Sequence, residues 1–393
     1  MTADRSRQSE RTRLIHLGRS APIDGVRPVN PPVVRTSTVL APDIATMRAN
    51  KARRDDGSRV FSYGARGTPT AHALEDAWAA LEGGERALLF PTGLAAIAHV
   101  MITCLAPGDH VLIQNTVYPQ VHNIRSAYLE RRGIATSYFD GAVQDAAAKI
   151  TPATRMIYGE NPGSWVYDLI DVAALATLAH DHGALLVVDN TWASGLLHKP
   201  LAHGADISVI AGTKYVVGHS DVMIGAVVAN GDLGRDLWRM QVVMGQTVSP
   251  DDAYLTLRGL RTIAARLPMH AAGALRIARH LEDHPLIAAV LHPALESHPR
   301  HELWRRDFTG ANGLLTLAMR ADLDMATIDR FVDTLSLFGI GSSWGGFESL
   351  APPQAPDTVR GWTHPGIAVR LHIGLEDPAD LEADLSRGLA AIG

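Results

Sequence analysis

Between residues 87 and 230 the apolar positions fall into short runs separated by stretches of helical spacing. The runs are ALLF (87–90), HVLIQ (110–114), IATSYF (134–139), TRMIYGE (154–160), ALLVVDN (184–190), ISVIAG (207–212) and MIGAVVAN (223–230). Each has strand length. The intervening spacing predicts helices over about 93–104, 120–132 and 171–182, with the turn PGD at 107–109. Strands that alternate with helices and read as nearly continuous apolar runs predict a mostly parallel sheet covered on both faces.

The flanks read differently. Residues 1–60 mix polar positions with Pro28, Pro31 and Pro32 and a short helical pattern, which predicts an irregular arm that needs another surface to rest on. HALEDAWAALEGG (72–84) predicts a helix stopped by Gly83 and Gly84. The segment 231–265 is helix-rich. After Pro268 the pattern predicts a helix over about 269–282, a strand at 314–321, a helix at 325–335 and a strand at 368–374, then a helical stretch at 379–392. The expected organisation is therefore an arm over 1–60, a large α/β domain over 61–260 and a smaller α+β domain over 261–393.

Composition narrows the function classes. The chain has 393 residues, 46% hydrophobic and 20% charged, enough for a substantial core. A net charge of −5, with basic residues clustered only at Arg5, Arg7, Arg11 and Arg13, argues against nucleic acid or anionic membrane as the main partner. A single cysteine, Cys104, excludes intramolecular disulfides and a cysteine metal cluster and fits the reducing cytoplasm. Its apolar neighbours predict burial. No apolar run approaches bilayer length, and the polar N-terminus has no signal-like apolar core.

Candidate chemistry gathers at the ends of the predicted strands. Asp189 closes one run at the strand end where open α/β sheets place their ligand crevices, although aspartate also serves there as a turn or capping residue. Lys214 follows the next run after Gly212 and Thr213, small or hydroxyl-bearing positions that allow close approach to the backbone. Pyridoxal phosphate needs this pair: an amine for a Schiff base and a carboxylate that keeps the ring nitrogen protonated so that the ring can accept carbanion electrons. In FPTGLAAIAHV (90–100), Gly93 at a strand-to-helix turn is either a plain connection or a helix start open to a phosphate. Tyr118 follows another strand and offers an aromatic ring to a planar cofactor. Two patterns are set aside. GIGSSWGG (339–346) lacks the third glycine of a dinucleotide loop and the helix after it. His180, His182, His198 and His203 show no metal-ligand spacing with a carboxylate and predict surface or capping histidines.

With these residues in place, the longer motifs YGARGTPT (63–70), LEGGERALLFPTGLAA (81–96), NTVYP (115–119), VDNTWASG (188–195), TKYVVGHSDVMIG (213–225), SWGGFESL (343–350) and RLHIGLED (370–377) can be read together. Over roughly residues 10–390 the chain resembles the Cys/Met-metabolism family of pyridoxal-phosphate enzymes, and within it the bacterial cystathionine beta-lyases. The resemblance implies a fold-type I architecture and a homotetramer of paired dimers with active sites shared between subunits. By the same resemblance Lys214 is the Schiff-base lysine, Asp189 the partner of the pyridine nitrogen and Tyr118 the ring-stacking residue, with Gly93 and Leu94 as backbone donors to phosphate. Position 212 is glycine here, so the resemblance leaves Thr213 as the expected hydroxyl for the phosphate, and it puts Asn161 near the cofactor ring where relatives often carry serine. By the same resemblance Tyr63 would reach across the dimer to a neighbour's phosphate, Arg370 would hold a substrate α-carboxylate, and Ser343 and Trp344 would line the substrate site.

One departure stands out. Where the family pattern has an arginine two residues after the tyrosine, this chain has Ala65, and Arg66 or Arg59 is the expected replacement. The reaction implied is β-elimination on L-cystathionine, or on other cysteine S-conjugates, to homocysteine, pyruvate and ammonia. In it Tyr118 takes a proton as phenolate and Lys214 moves the α-proton. The aromatic SWGGFESL is the resemblance's reason to prefer this over the alternative, a cystathionine gamma-synthase or gamma-lyase.

Overall fold

The computed structural model describes residues 8–19, 22 and 24–393. Arg5 and Arg7 lie outside the described residues, while Arg11 and Arg13 belong to a short helix, Glu10–Ile15.

All seven runs of the central region form strands: β1 (Arg86–Phe90), β2 (His110–Gln114), β3 (Ala135–Phe139), β4 (Thr154–Glu160), β5 (Leu185–Asp189), β6 (Ile207–Ala211) and β7 (Gly225–Ala229). They make one sheet in the order β1-β7-β6-β5-β4-β2-β3. Only β7 runs against the others, pairing antiparallel with both β1 and β6. The mostly parallel expectation holds. Leu186, Val187 and Val188 of β5 are fully buried because helices cover both faces: Gly93–Cys104 packs on the side of Phe90 and Val187, and Val172–Asp181 on the side of Leu186 and Val188. The helix Gly93–Cys104 coincides with the predicted span. Cys104, at its end, is only half-buried on the rim of that cluster.

A second, smaller sheet follows: β8 (Ile287–Leu291), β9 (Leu314–Met319), β10 (Pro353–Gln354) and β11 (Ala368–His372), antiparallel throughout in the order β10-β11-β9-β8. Its apolar face packs on Ile277, Leu281, Phe331, Leu381 and Leu385 from three helices. The predicted helix start at 269 is corrected: the helix runs Ile263–Leu281 with Pro268 inside it. Proline forfeits one backbone bond there. Ile263 and Leu267 are nonetheless buried in the core of the large sheet, and Ala274, Ile277 and Leu281 in that of the small one, so packing at both ends outweighs the lost bond.

The arm is less irregular than expected. It carries the helix Ile44–Asp55, in which no residue is buried, and is tied to the body by polar contacts such as Arg35 with Asp251 and the Val34 N–H donating to Thr70. No described helix is long and apolar enough to cross a membrane.

Candidate active site

Parallel strands point their C-terminal ends the same way, so what closes each strand shares one edge. β4 ends on Glu160 and β5 on Asp189, and these two residues stand opposite each other in register. Both carboxylates are buried, Asp189 at 4% exposure and Glu160 at 8%. Asp189 accepts from the Thr191 N–H at 3.0 Å, and the Tyr158 hydroxyl lies 3.5 Å away. Glu160 accepts from the Tyr118 N–H at 2.5 Å. Desolvation pushes both carboxyls up from the usual range, Glu160 further because Asp189 adds a like charge. Such an edge calls for a cation between or beside them.

Lys214 supplies one charge from the turn after β6. Burial, then the field of Arg370, lower its amine to about 8, while Asp189 and Glu160 oppose that fall. A sizeable fraction is therefore the neutral base near physiological pH. The Lys214 Nζ donates to Ser343 Oγ at 2.5 Å and lies 5.2 Å from the centre of the Trp344 ring. Arg370, in β11 of the small sheet, donates to the Ser343 carbonyl at 3.0 Å and stacks 4.7 Å over Trp165. The Arg370 Nε is buried without a partner, a donor available to an anion.

The helix Gly93–Cys104 begins beside this edge. Its cap, Thr92, accepts from the Ala95 N–H at 2.9 Å, which leaves the Gly93 and Leu94 N–H groups as free donors in the first turn. Only glycine fits at position 93, since a Cβ there would meet the Ala211 Cβ at 2.5 Å. Asn161, fully buried just past Glu160, accepts from the Ile170 N–H through Oδ1 and has an unpartnered Nδ2. Free helix-start donors, an orphaned amide donor and a buried lysine with a facing carboxylate fit a flat phosphorylated aldehyde with a basic ring nitrogen. Tyr118 is 43% exposed at the start of Pro119–Ile124, an open position for a ring to lie over such a group.

Three expectations meet a different geometry. The Thr213 hydroxyl is engaged with the backbone of Ile224, donating to its carbonyl at 3.2 Å and accepting from its N–H at 3.0 Å. It has one proton, so it reaches a phosphate only by giving up that carbonyl. Burial, Glu160 and Asp189 all raise the Tyr118 hydroxyl, which favours the neutral phenol over the phenolate. Arg59 lines the same cavity as Ala65, but its guanidinium is already paired with Asp76 at 2.5 Å and Glu75 at 3.1 Å.

The site residues do not all meet. Lys214, Asp189, Tyr118, Ser343, Trp344 and Arg370 are brought together, with Gly93, Leu94 and Asn161 along the same edge. Tyr63, 48% exposed, and the exposed Arg66 sit on a separate turn (Gly64–Arg66), and among the described residues no hydrogen bond joins them to Lys214 or Asp189. Sequence reading missed Glu160, although it closes β4 as Asp189 closes β5. It also missed Trp165, whose φ of +68° in a loop has no sequence signature. His198 is a correction: it is buried, stacked on Phe308 at 4.7 Å. No cluster of three metal-ligating side chains occurs among the described residues.

Residues 11–390 match the family described as Cys/Met metabolism PLP-dependent enzyme. A cystathionine beta-lyase of Bordetella avium is 44% identical over 395 residues, covering 98% of this chain and 99% of its own. An L-alanine/L-glutamate racemase of Wolbachia pipientis wMel is 37% identical over 375 residues, 93% of each chain. The solved structure of metB from Corynebacterium glutamicum superposes with a TM-score of 0.90 at 32% identity, covering 99% of this chain and 100% of that one. Nearly full-length agreement, with the lysine, carboxylate and free donors on one strand edge, leads to one conclusion: this chain belongs to the Cys/Met metabolism PLP-dependent enzyme family, with fold-type I architecture and a lyase-type activity on sulfur amino acids.

Proposed function

We propose that the protein is a carbon–sulfur lyase that cleaves L-cystathionine by β-elimination, giving homocysteine, pyruvate and ammonia. The observation that carries this reading is the Lys214 amine, lowered to about 8 and held 2.5 Å from Ser343 under Trp344. Bound pyridoxal phosphate supplies the electron sink for a carbanion at Cα. Asp189 would face the ring nitrogen, Gly93, Leu94 and Asn161 would donate to the cofactor's oxygens, and Tyr118 would cover its face. Arg370 anchors the substrate α-carboxylate through its fork. Lys214 takes the proton from Cα. The Cβ–S bond breaks with its electron pair on sulfur, and Lys214 passes its proton to that sulfur as homocysteine leaves. The remaining three carbons take up water to yield pyruvate and ammonia.

Tyr63 and Arg66 support a shared site, since they lie exposed at the turn that follows the arm, whose own helix buries nothing within the chain. A second copy in a homotetramer of paired dimers would receive them. The single unpaired cysteine supports a cytoplasmic setting. Product analysis with L-cystathionine tests the reaction. Homocysteine with pyruvate is expected; cysteine with 2-oxobutyrate would overturn it in favour of γ-elimination, the alternative in which a second proton leaves Cβ.

A further inference from the structure

Behind Lys214 lies a buried polar chain that plays no part in the steps above. Tyr215, the next residue, is fully buried and His372 nearly so, at 1% exposure. His372 is two positions beyond Arg370 in β11, so both side chains rise from the same face of the small sheet. The Tyr215 oxygen accepts from the Gly313 N–H at 2.9 Å and lies 3.4 Å from His372 Nδ1. On the other side of the imidazole, Nε2 lies 3.0 Å from the Gly346 carbonyl and 3.2 Å from the Gly345 N–H.

These contacts select a tautomer. The Tyr215 hydroxyl proton has no other acceptor among the described residues, so Nδ1 accepts it and Nε2 carries hydrogen, donated to Gly346. The opposite tautomer would satisfy Gly345 and strand the buried phenol proton. Burial and the nearby His270, Arg370 and Lys214 keep the imidazole neutral, lowering it to about 3.

The loop so held is the one that carries Ser343 and Trp344. Its backbone is left-handed at Ser343 and Gly345, with φ of +86° and +87°. A Cβ at Gly345 would lie 2.7 Å from the Tyr215 nitrogen and 2.8 Å from the Lys214 carbonyl carbon, so the loop rests directly on the lysine's own backbone. Arg370 grips the loop at Ser343 and His372 grips it at Gly346. We infer that His372 is a positioning residue: locked as the Nε2–H tautomer by Tyr215, it fixes the Gly345–Gly346 turn and thereby keeps Ser343 and Trp344 on the Lys214 amine.

The inference rests on the reading of Lys214 as the cofactor-bearing lysine, and the test separates the two. His372→Gln keeps a donor at the reach of Nε2, whereas His372→Asn does not. Three quantities are measured on the cofactor-loaded protein: kcat and KM for L-cystathionine, thermal unfolding, and the pH titration of the visible band of the lysine-bound cofactor without substrate. The Asn variant is expected to lose about tenfold or more in kcat with KM changed less than about threefold, and to move the band's titration midpoint by about half a unit or more. The Gln variant recovers most of both. If the Asn variant does not fold, Tyr215→Phe, which frees the tautomer, is expected to move the midpoint in the same direction. Unchanged kcat and midpoint overturn the proposal, as does equal loss in both variants that tracks lower stability with the midpoint unmoved. A wild-type protein without the band overturns the reading of Lys214 instead.

Discussion

The C-terminal edge of the large sheet and the exposed turn that follows the arm treat their candidate residues in opposite ways. On the edge, Asp189, Glu160, Asn161 and Lys214 are held by strands and buried neighbours, with hydrogen bonds to Thr191, Tyr118, Ile170 and Ser343 respectively. Just after the arm, Tyr63 caps and Arg66 ends an exposed three-residue turn, beyond the helix Ile44–Asp55, which buries nothing. The difference separates groups whose partners are already in place in the folded chain from groups left open at its surface. A buried charge needs partners in place before a ligand arrives, whereas an exposed phenol or guanidinium costs little until it is used.

Four experiments press on this comparison, the largest effect first. Lys214→Ala removes the proton carrier of the rigid edge. Turnover is expected to fall by about a thousandfold or more, with the visible band lost, and a band that survives would place the amine elsewhere. Arg370→Ala removes a fork that already has an unpartnered Nε, so KM is expected to rise about tenfold to a hundredfold in steady-state kinetics while the cofactor spectrum stays.

The third uses pH. In the cofactor-free protein only the neutral Lys214 amine attacks the cofactor aldehyde, and the amine is lowered to about 8. The rate of reconstitution followed by absorbance should therefore climb about tenfold per pH unit below that value and level off above it. A midpoint at the ordinary lysine value would show that the edge does not lower the amine.

The smallest effect belongs to the exposed turn. Tyr63→Phe and Arg66→Ala should each weaken cofactor retention by about tenfold or less in dialysis measurements, without touching the spectrum. A mixed oligomer of a Tyr63→Phe chain and a Lys214→Ala chain is expected to regain sites in which an intact Tyr63 turn meets an intact edge. Arg59→Ala should leave retention unchanged, since that guanidinium is committed to Glu75 and Asp76.

Much of the edge was legible because parallel strands announce themselves as apolar runs and their last residues share one side. That logic placed Asp189, Lys214 and the start of Gly93–Cys104 correctly. It did not reach β8, whose IAAVL run is short and followed by a long irregular stretch, or the persistence of a helix through Pro268. Nor did it see that Thr213 spends its proton on Ile224, because hydrogen-bond partners eleven residues apart depend on how a turn closes. His198 was misplaced for a related reason: its burial comes from Phe308, more than a hundred residues away.

By itself, then, the sequence determined the alternation of strand and helix, the residue types at the strand ends and the family to which they belong. These are local properties, set by periodicity, turn chemistry and ordered motifs. Tertiary structure decided which of those groups are paired, how far burial moves the Lys214 amine, and that β11 reaches over from the small sheet to hold Ser343, through Arg370, and Gly346, through His372. Charge state and hydrogen-bond partnership depend on what surrounds a group in three dimensions, and residues 214, 343 and 372 become neighbours only when the two sheets close on each other.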